Sequence, residues 1–203
     1  MSRIITISRE FGSGGRELGR HLSEVLQIDY YDQEIVSEIA KRADVAEDYV
    51  KQISESRPIS LPVYGGRFNT TVDPLLDMSL SIHRQQHALL RELSEKSDCV
   101  IIGRCADYVL RDRRPFRIFV YAEMESRLKR CEDRKPENEN LSRRKMQQKI
   151  REIDRNRARY YAYFSKQKWS APCNYDLMIN TSSGIDLKKT AASVAAYMEQ
   201  FYQ

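Results

Sequence analysis

An α/β domain, with a parallel five-stranded sheet and helices on both faces, is the expectation for this chain of 203 residues. Three observations carry it. Short apolar, β-branched runs alternate with longer segments of helical periodicity, the first run ends in a glycine-rich turn, and that turn passes directly into a helical pattern. The strand candidates are residues 4–8, 28–31, 99–103, 117–121 and 176–180. Between and after them, residues 17–26, 33–43, 75–96, 123–132, 142–166 and 186–201 repeat apolar positions at helical spacing, with Ser142 and Asp186 placed as N-caps. Two segments break the rhythm. Ser56 to Asp73 holds Pro58, Pro62, Gly65, Gly66 and Asn69 and reads as a long loop. Asp133 to Leu141 is polar almost throughout, and reads as a flap over a phosphate site or as a surface excursion.

The opening segment, Ile4-Ile5-Thr6-Ile7-Ser8-Arg9-Glu10-Phe11-Gly12-Ser13-Gly14-Gly15-Arg16, reads as strand, glycine turn and helix start. Such a turn lets successive backbone N–H groups converge on an anion. Laid over the phosphate-loop pattern G-x-x-x-x-G-K-[S/T], it has Arg9 at the first glycine, Gly14 at the second, Gly15 in the lysine position and Arg16 in the hydroxyl position. The functional reading is phosphate held by Gly12, Ser13, Gly14, Gly15 and Arg16; the alternative is a βα turn whose glycines serve backbone geometry alone. Arg16, in the first helical turn, can fold a bidentate guanidinium over the anion and replace the lysine charge. Magnesium would need a hydroxyl from Ser8 or Ser13, or would be held by nucleotide phosphates and water.

Other candidates fall at the carboxyl ends of strands, where open α/β sheets bind ligands. Arg104 follows the third strand and faces that edge, or is an exposed arginine in an ordinary turn. Asp32 follows Tyr30-Tyr31 and either caps the next helix or touches substrate. The long helix from Ser142 has a core-facing stripe of Met146, Ile150, Ile153, Tyr160 or Tyr161, and Phe164, interrupted by Arg157. An arginine on such a face snorkels or finds an acid or phosphate. Asp154 lies one turn before it and Arg151 one turn before that, an arrangement suited to a sugar hydroxyl on the carboxylate and phosphate on the arginines, or else a structural ion-pair ladder. His21, His83 and His87 form no catalytic pattern, and Trp169, Tyr160, Tyr161 and Tyr163 read as packing residues.

Composition narrows the function. The net charge is +5, and residues 104–168 hold 20 Lys and Arg against 10 Asp and Glu. The excess is modest and interrupted by acids, so nucleic acid is not an expected partner, and arginines gathered around a small anion are favoured. No apolar run reaches membrane-spanning length and no leader pattern opens the chain, so a cytoplasmic protein that does not engage membranes is expected. Cys99, Cys105, Cys131 and Cys173 lack C-x-x-C spacing, which argues against a cysteine metal site. The sequence assigns neither a metal ligand nor an oligomeric state.

With these residues assembled, the chain resembles the cytidylate-kinase-like family, a branch of the P-loop nucleoside monophosphate kinases. The resemblance rests on residues 4–19, Tyr30-Tyr31-Asp32, Ile101-Ile102-Gly103-Arg104, the Arg151/Asp154/Arg157 helix, Tyr175-Asp176-Leu177 and Ile179-Asn180-Thr181. It implies one three-layer P-loop NTPase-type domain over residues 1–203, with strand order 2-3-1-4-5, a helical substrate-binding insertion about residues 32–95 and a lid about residues 127–145. It further implies ATP-dependent phosphoryl transfer to CMP or dCMP with Mg²⁺, the small-molecule nucleotide being the partner. Catalytic roles then fall to Arg16, Arg104, Arg157 and a lid arginine such as Arg127, Arg130 or Arg134, with Arg130 the chosen one. Substrate contacts fall to Asp32, Arg104, Arg151, Asp154 and Arg157. Bacterial cytidylate kinases carry Gly-Lys-Gly-Thr where this chain has Gly14-Gly15-Arg16-Glu17, and Asp-Gly-Arg-Asp where it has Ile102-Gly103-Arg104-Cys105. The alternatives are a nucleotide- or phosphate-binding regulatory module with impaired catalysis, and a kinase for another small acceptor.

Overall fold

A computed structural model describes residues 3–54, 74–134, 141–182 and 184–201. The expected loop 56–73 lies outside the described residues, as does most of the expected flap, residues 135–140. Five strands, β1 (Ile4–Arg9), β2 (Asp29–Tyr31), β3 (Cys99–Ile102), β4 (Phe116–Tyr121) and β5 (Leu177–Asn180), form one sheet in the order β2-β3-β1-β4-β5 with every pairing parallel. That is the P-loop kinase-like α/β arrangement. Its central strands β1, β3 and β4 are mostly buried because helices cover both faces.

The helices are α1 (Gly15–Leu26), α2 (Gln33–Ala43), α3 (Glu47–Ser54), α4 (Pro74–Lys96), α5 (Ala106–Val109), α6 (Met124–Asp133), α7 (Arg143–Ser165) and α8 (Leu187–Phe201). Period-two alternation along the strands sorts the core into two layers. Ile5, Ile7, Val100, Ile102, Ile118 and Val120 pack against Leu18 and Leu22 of α1 and Leu187, Ala191 and Val194 of α8. Ile4, Cys99 and Ile101 face the other way, against Ile35, Ile39, Val50, Ile82 and Leu90 from α2, α3 and α4.

Ser142 and Asp186 cap their helices as expected. The Ser142 hydroxyl accepts from Lys145 N–H, and the Asp186 carboxylate accepts from Lys188 and Lys189 N–H at 2.9 and 3.1 Å. The sequence reading did not foresee α3 and α5. Asp44, left-handed at φ 52, ends α2, and α3 restarts three residues later with Glu47 and Asp48 in its first turn, too short a helix to show periodicity by itself.

Candidate functional site

β1 delivers the chain to the carboxyl edge of the sheet at its centre, where residues 9–16 turn into α1. Gly14, at φ 81, is the N-cap of α1, and no side chain caps that end, so the first-turn N–H groups face the space above the loop. Gly15 has a different requirement. A Cβ at this position would lie 2.6 Å from Cβ of Arg9 and 3.0 Å from its Cγ, so the glycine makes room for the Arg9 stem.

The loop is clamped from below. Arg127 of α6 donates from Nε to Phe11 O at 2.7 Å and pairs with Glu10 at 3.2 Å and with Asp154 of α7. Asp154 accepts Phe11 N–H at 2.8 Å, and Glu10 accepts Ala122 N–H at 3.1 Å. Ser13 is fully buried, with its hydroxyl donating to Glu10 O and its own carbonyl accepting from Thr181. Arg130 of α6 hydrogen-bonds to Thr181 O beside Gly12.

At the adjoining edge, Gly103, Arg104 and Cys105 take left-handed backbone in succession, at φ 71, 59 and 55. Two of these are not glycine, and such conformations cost on the order of 1 kcal/mol each, so the turn after β3 holds strain. It brings Arg104 beside Arg157, which crosses from α7 and donates to Arg9 O at 3.1 Å. Arg16 reaches the other way, to Asp32, with Nε to Oδ2 at 2.7 Å. Arg9 sits among them, 4.0 Å from Asp32. Burial pushes its pKa well below that of an ordinary guanidinium; Arg157, Arg16 and Arg104 push the same way, and Asp32 opposes them.

Two cavities flank this cluster. The larger, of about 270 Å³, lies over the loop and is lined by Gly12, Gly14, Gly15, Arg16, Arg130 and Arg134 among others. The smaller, of about 40 Å³, lies at the β3 edge against Ser8, Gly103, Arg104, Tyr160, Tyr161 and Trp169. Arg9 and Arg157 line both.

The profile described as the cytidylate kinase-like family matches residues 4–183. The chain belongs to the cytidylate kinase-like family. Among solved structures, an uncharacterised protein from Eubacterium ventriosum superposes with TM-score 0.70 at 23% identity, over 98% of this chain and 99% of that one. A shikimate kinase from Bacteroides thetaiotaomicron gives TM-score 0.59 at 13% identity, over 97% and 98% of the two chains. Another, from Acinetobacter baumannii in complex with shikimate, gives 0.55 at 17%, over 98% and 94%. No match is found among curated proteins. These structural likenesses extend the fold, and no more than the fold, to this chain.

In this cytidylate kinase-like chain the residues singled out from sequence do not all meet. Gly12, Gly14, Gly15, Arg16, Arg130 and Arg157 share the larger cavity, while Arg104 and Arg157 share the smaller. Asp32 joins them through Arg16 and Arg9. Ser13 lies beneath the loop. Arg151 is exposed on α7 and lines neither cavity, and Asp154 pairs with Arg127 rather than with the arginines of its own helix. Arg127, expected among the lid cations, is only 4% exposed and serves the clamp. Sequence reasoning missed Arg9 and Glu10. The available signal for Arg9 was its register, since it continues the Ile5, Ile7 face of β1 directly toward α1.

The residues at the loop do not fit a magnesium ion held by the protein. Position 16 carries a guanidinium on Asp32, the fully buried Ser13 donates its hydroxyl to Glu10 O, and Ser8 lines the smaller cavity rather than the one over the loop. Among the described residues, no three His, Cys, Asp or Glu side chains gather as a metal site. Nor, among those residues, is any helix long and apolar enough to cross a membrane.

Proposed function

We propose that this chain transfers the terminal phosphoryl group of ATP to a small phosphorylated acceptor, with a nucleoside monophosphate, CMP or dCMP, as first candidate. The observation that supports it most is the pair of cavities meeting at Arg9 and Arg157, one over an uncapped helix N-terminus and the other against Arg104. The donor phosphates lie on the N–H groups of Gly12 to Arg16, with Arg130 at their flank. Arg104 and Arg157 grip the acceptor phosphate, and Asp32 holds Arg16 at the rim between the two. An acceptor phosphate oxygen attacks the terminal phosphorus in line and ADP leaves, so no side chain acts as nucleophile. The protein contributes position and positive charge. Magnesium would arrive with the nucleotide, carried by phosphate oxygens and water, and no step is assigned to it.

A second reading, a nucleotide- or phosphate-binding regulatory module, is favoured by one specific feature, the loss of a free hydroxyl at the loop. A coupled assay for ADP release across nucleoside monophosphates, shikimate and other small acceptors separates the two. Acceptor-dependent turnover, highest with CMP or dCMP, is the expected result. Nucleotide binding without turnover under any acceptor favours the module, and a different best acceptor corrects the substrate.

A further inference from the structure

This chain's loop differs from the lysine-bearing pattern at positions 9, 15 and 16, and the structure ties the first two together. Arg9 stands where the pattern has its first glycine, and Gly15 stands where it has lysine. In space the two touch. A Cβ at position 15 would lie 2.6 Å from the Arg9 Cβ and 3.4 Å from Val120 Cβ, so any side chain at 15 must displace the Arg9 stem. Gly15 opens α1 in ordinary helical backbone, so its glycine answers to space rather than to backbone conformation. A side chain at 15 and the Arg9 stem as it stands here therefore compete for the same space.

The Arg9 side chain then runs along the sheet edge from β1 to β3. Its guanidinium overlies Gly103, whose left-handed φ of 71 already calls for glycine. The head group ends 4.0 Å from Asp32, with Arg157 anchored on the Arg9 carbonyl and Arg104 and Arg16 nearby. The guanidiniums of Arg9, Arg16, Arg104 and Arg157 gather about the Asp32 edge of the loop, a concentration of positive charge suited to a phosphate anion. Burial and its three arginine neighbours depress the Arg9 pKa in the same sense, while the side chain lines both cavities.

We infer that Arg9 supplies, from the first position of the loop, the phosphate-neutralising charge that a lysine would supply from position 15, and that its guanidinium meets the transferred phosphoryl group between donor and acceptor. This deepens the phosphoryl-transfer reading and rests on it for the identity of the anion. Arg16, whose guanidinium is drawn to Asp32, stays at the rim of the larger cavity.

The test uses the full chain and two probes, tripolyphosphate and ATP with magnesium, with titration calorimetry for binding and ADP release for turnover. R9Q removes the charge and keeps most of the stem. G15A keeps every charge and pushes Arg9 aside. R9G/G15K moves the cation to the lysine position. R9Q and G15A are expected to bind tripolyphosphate about tenfold or more weakly, and to lose about 10²-fold in turnover. R9G/G15K is expected to recover most of what R9G alone loses, which a merely structural arginine would not permit. Melting curves confirm that each variant is folded, and G15A keeps the test open if Arg9 variants are not. Wild-type tripolyphosphate affinity in both R9Q and G15A, or a double variant no better than R9G, overturns the assignment. Turnover that persists undiminished in R9Q removes Arg9 and leaves the kinase reading standing. Arg9-dependent tripolyphosphate binding without acceptor-dependent ADP release in the wild type does the reverse, and a wild type that binds neither probe removes both.

Discussion

Arg104 illustrates how single side chains are placed here at some cost to the backbone. Its left-handed φ of 59, followed by Cys105 at 55, is tolerated because the turn after β3 must bring a guanidinium to the sheet edge beside Arg157. The cost can be measured with two variants that lose the same side chain. R104G relieves the strain and R104A does not, so R104G is expected to be more stable than R104A by about 1 kcal/mol in urea unfolding. Both should raise KM for the acceptor, by about tenfold or more if the guanidinium binds its phosphate. Equal stability of the pair would mean that the turn is unstrained, and an unchanged KM would move the acceptor phosphate elsewhere.

The glycine loop is held by elements far away in the sequence. Arg127 of α6 joins Glu10 and Asp154 of α7 beneath Phe11, so the β1–α1 turn, α6 and α7 form one rigid support. Removing the buried cation leaves the Glu10 and Asp154 carboxylates without the guanidinium that neutralises both. R127M is expected to destabilise the fold by about 3–5 kcal/mol, with a matching fall in denaturation midpoint. A double variant, R127M/D154L, should recover part of that loss because it removes a stranded charge along with its partner. If R127M unfolds at the wild-type denaturant concentration, the clamp contributes nothing.

Over the whole molecule, two buried groups couple stability to pH in opposite directions. His83 is packed against Tyr160 and Phe164, and burial, then His87 and Arg104, lower its pKa from 6.5 to about 4. A histidine with a depressed folded pKa supports stability that is present above pH 6.5 and is lost as pH falls toward 4. Asp107, buried beside Tyr161, is raised from 3.8 to about 6 by burial, although the 2.7 Å bond from the Tyr161 hydroxyl opposes the shift. Its contribution is present below pH 3.8 and is lost as pH rises through 6. Each effect is on the order of 3 kcal/mol and their windows overlap, so they largely offset one another between pH 4 and 6. D107N removes one of the two. Its melting temperature should therefore fall more steeply than that of the wild type on acidification from pH 6.5 to 4, and a slope equal to the wild type's would refute the account.

The strands, six of the helices, the caps at Ser142 and Asp186, and the glycine turn were legible in the chain itself, because periodicity and capping chemistry act over a few residues. The sheet order and the family followed from a resemblance, which the sheet pairings and the matched profile support. Local pattern could not say who would meet whom across the fold. Asp154 has arginines one turn away on either side, yet a backbone N–H from residue 11 and a guanidinium from residue 127 take it, since Arg151 points to solvent and Arg157 is engaged on the Arg9 carbonyl. The exchange between positions 9 and 15 has the same origin. Five residues separate them along the chain, but only the packing of α1 on β1 brings the Arg9 stem into the space where a side chain at 15 would stand. Short-range chemistry wrote the elements, and the close packing of elements distant in sequence decided which charges face the ligand edge.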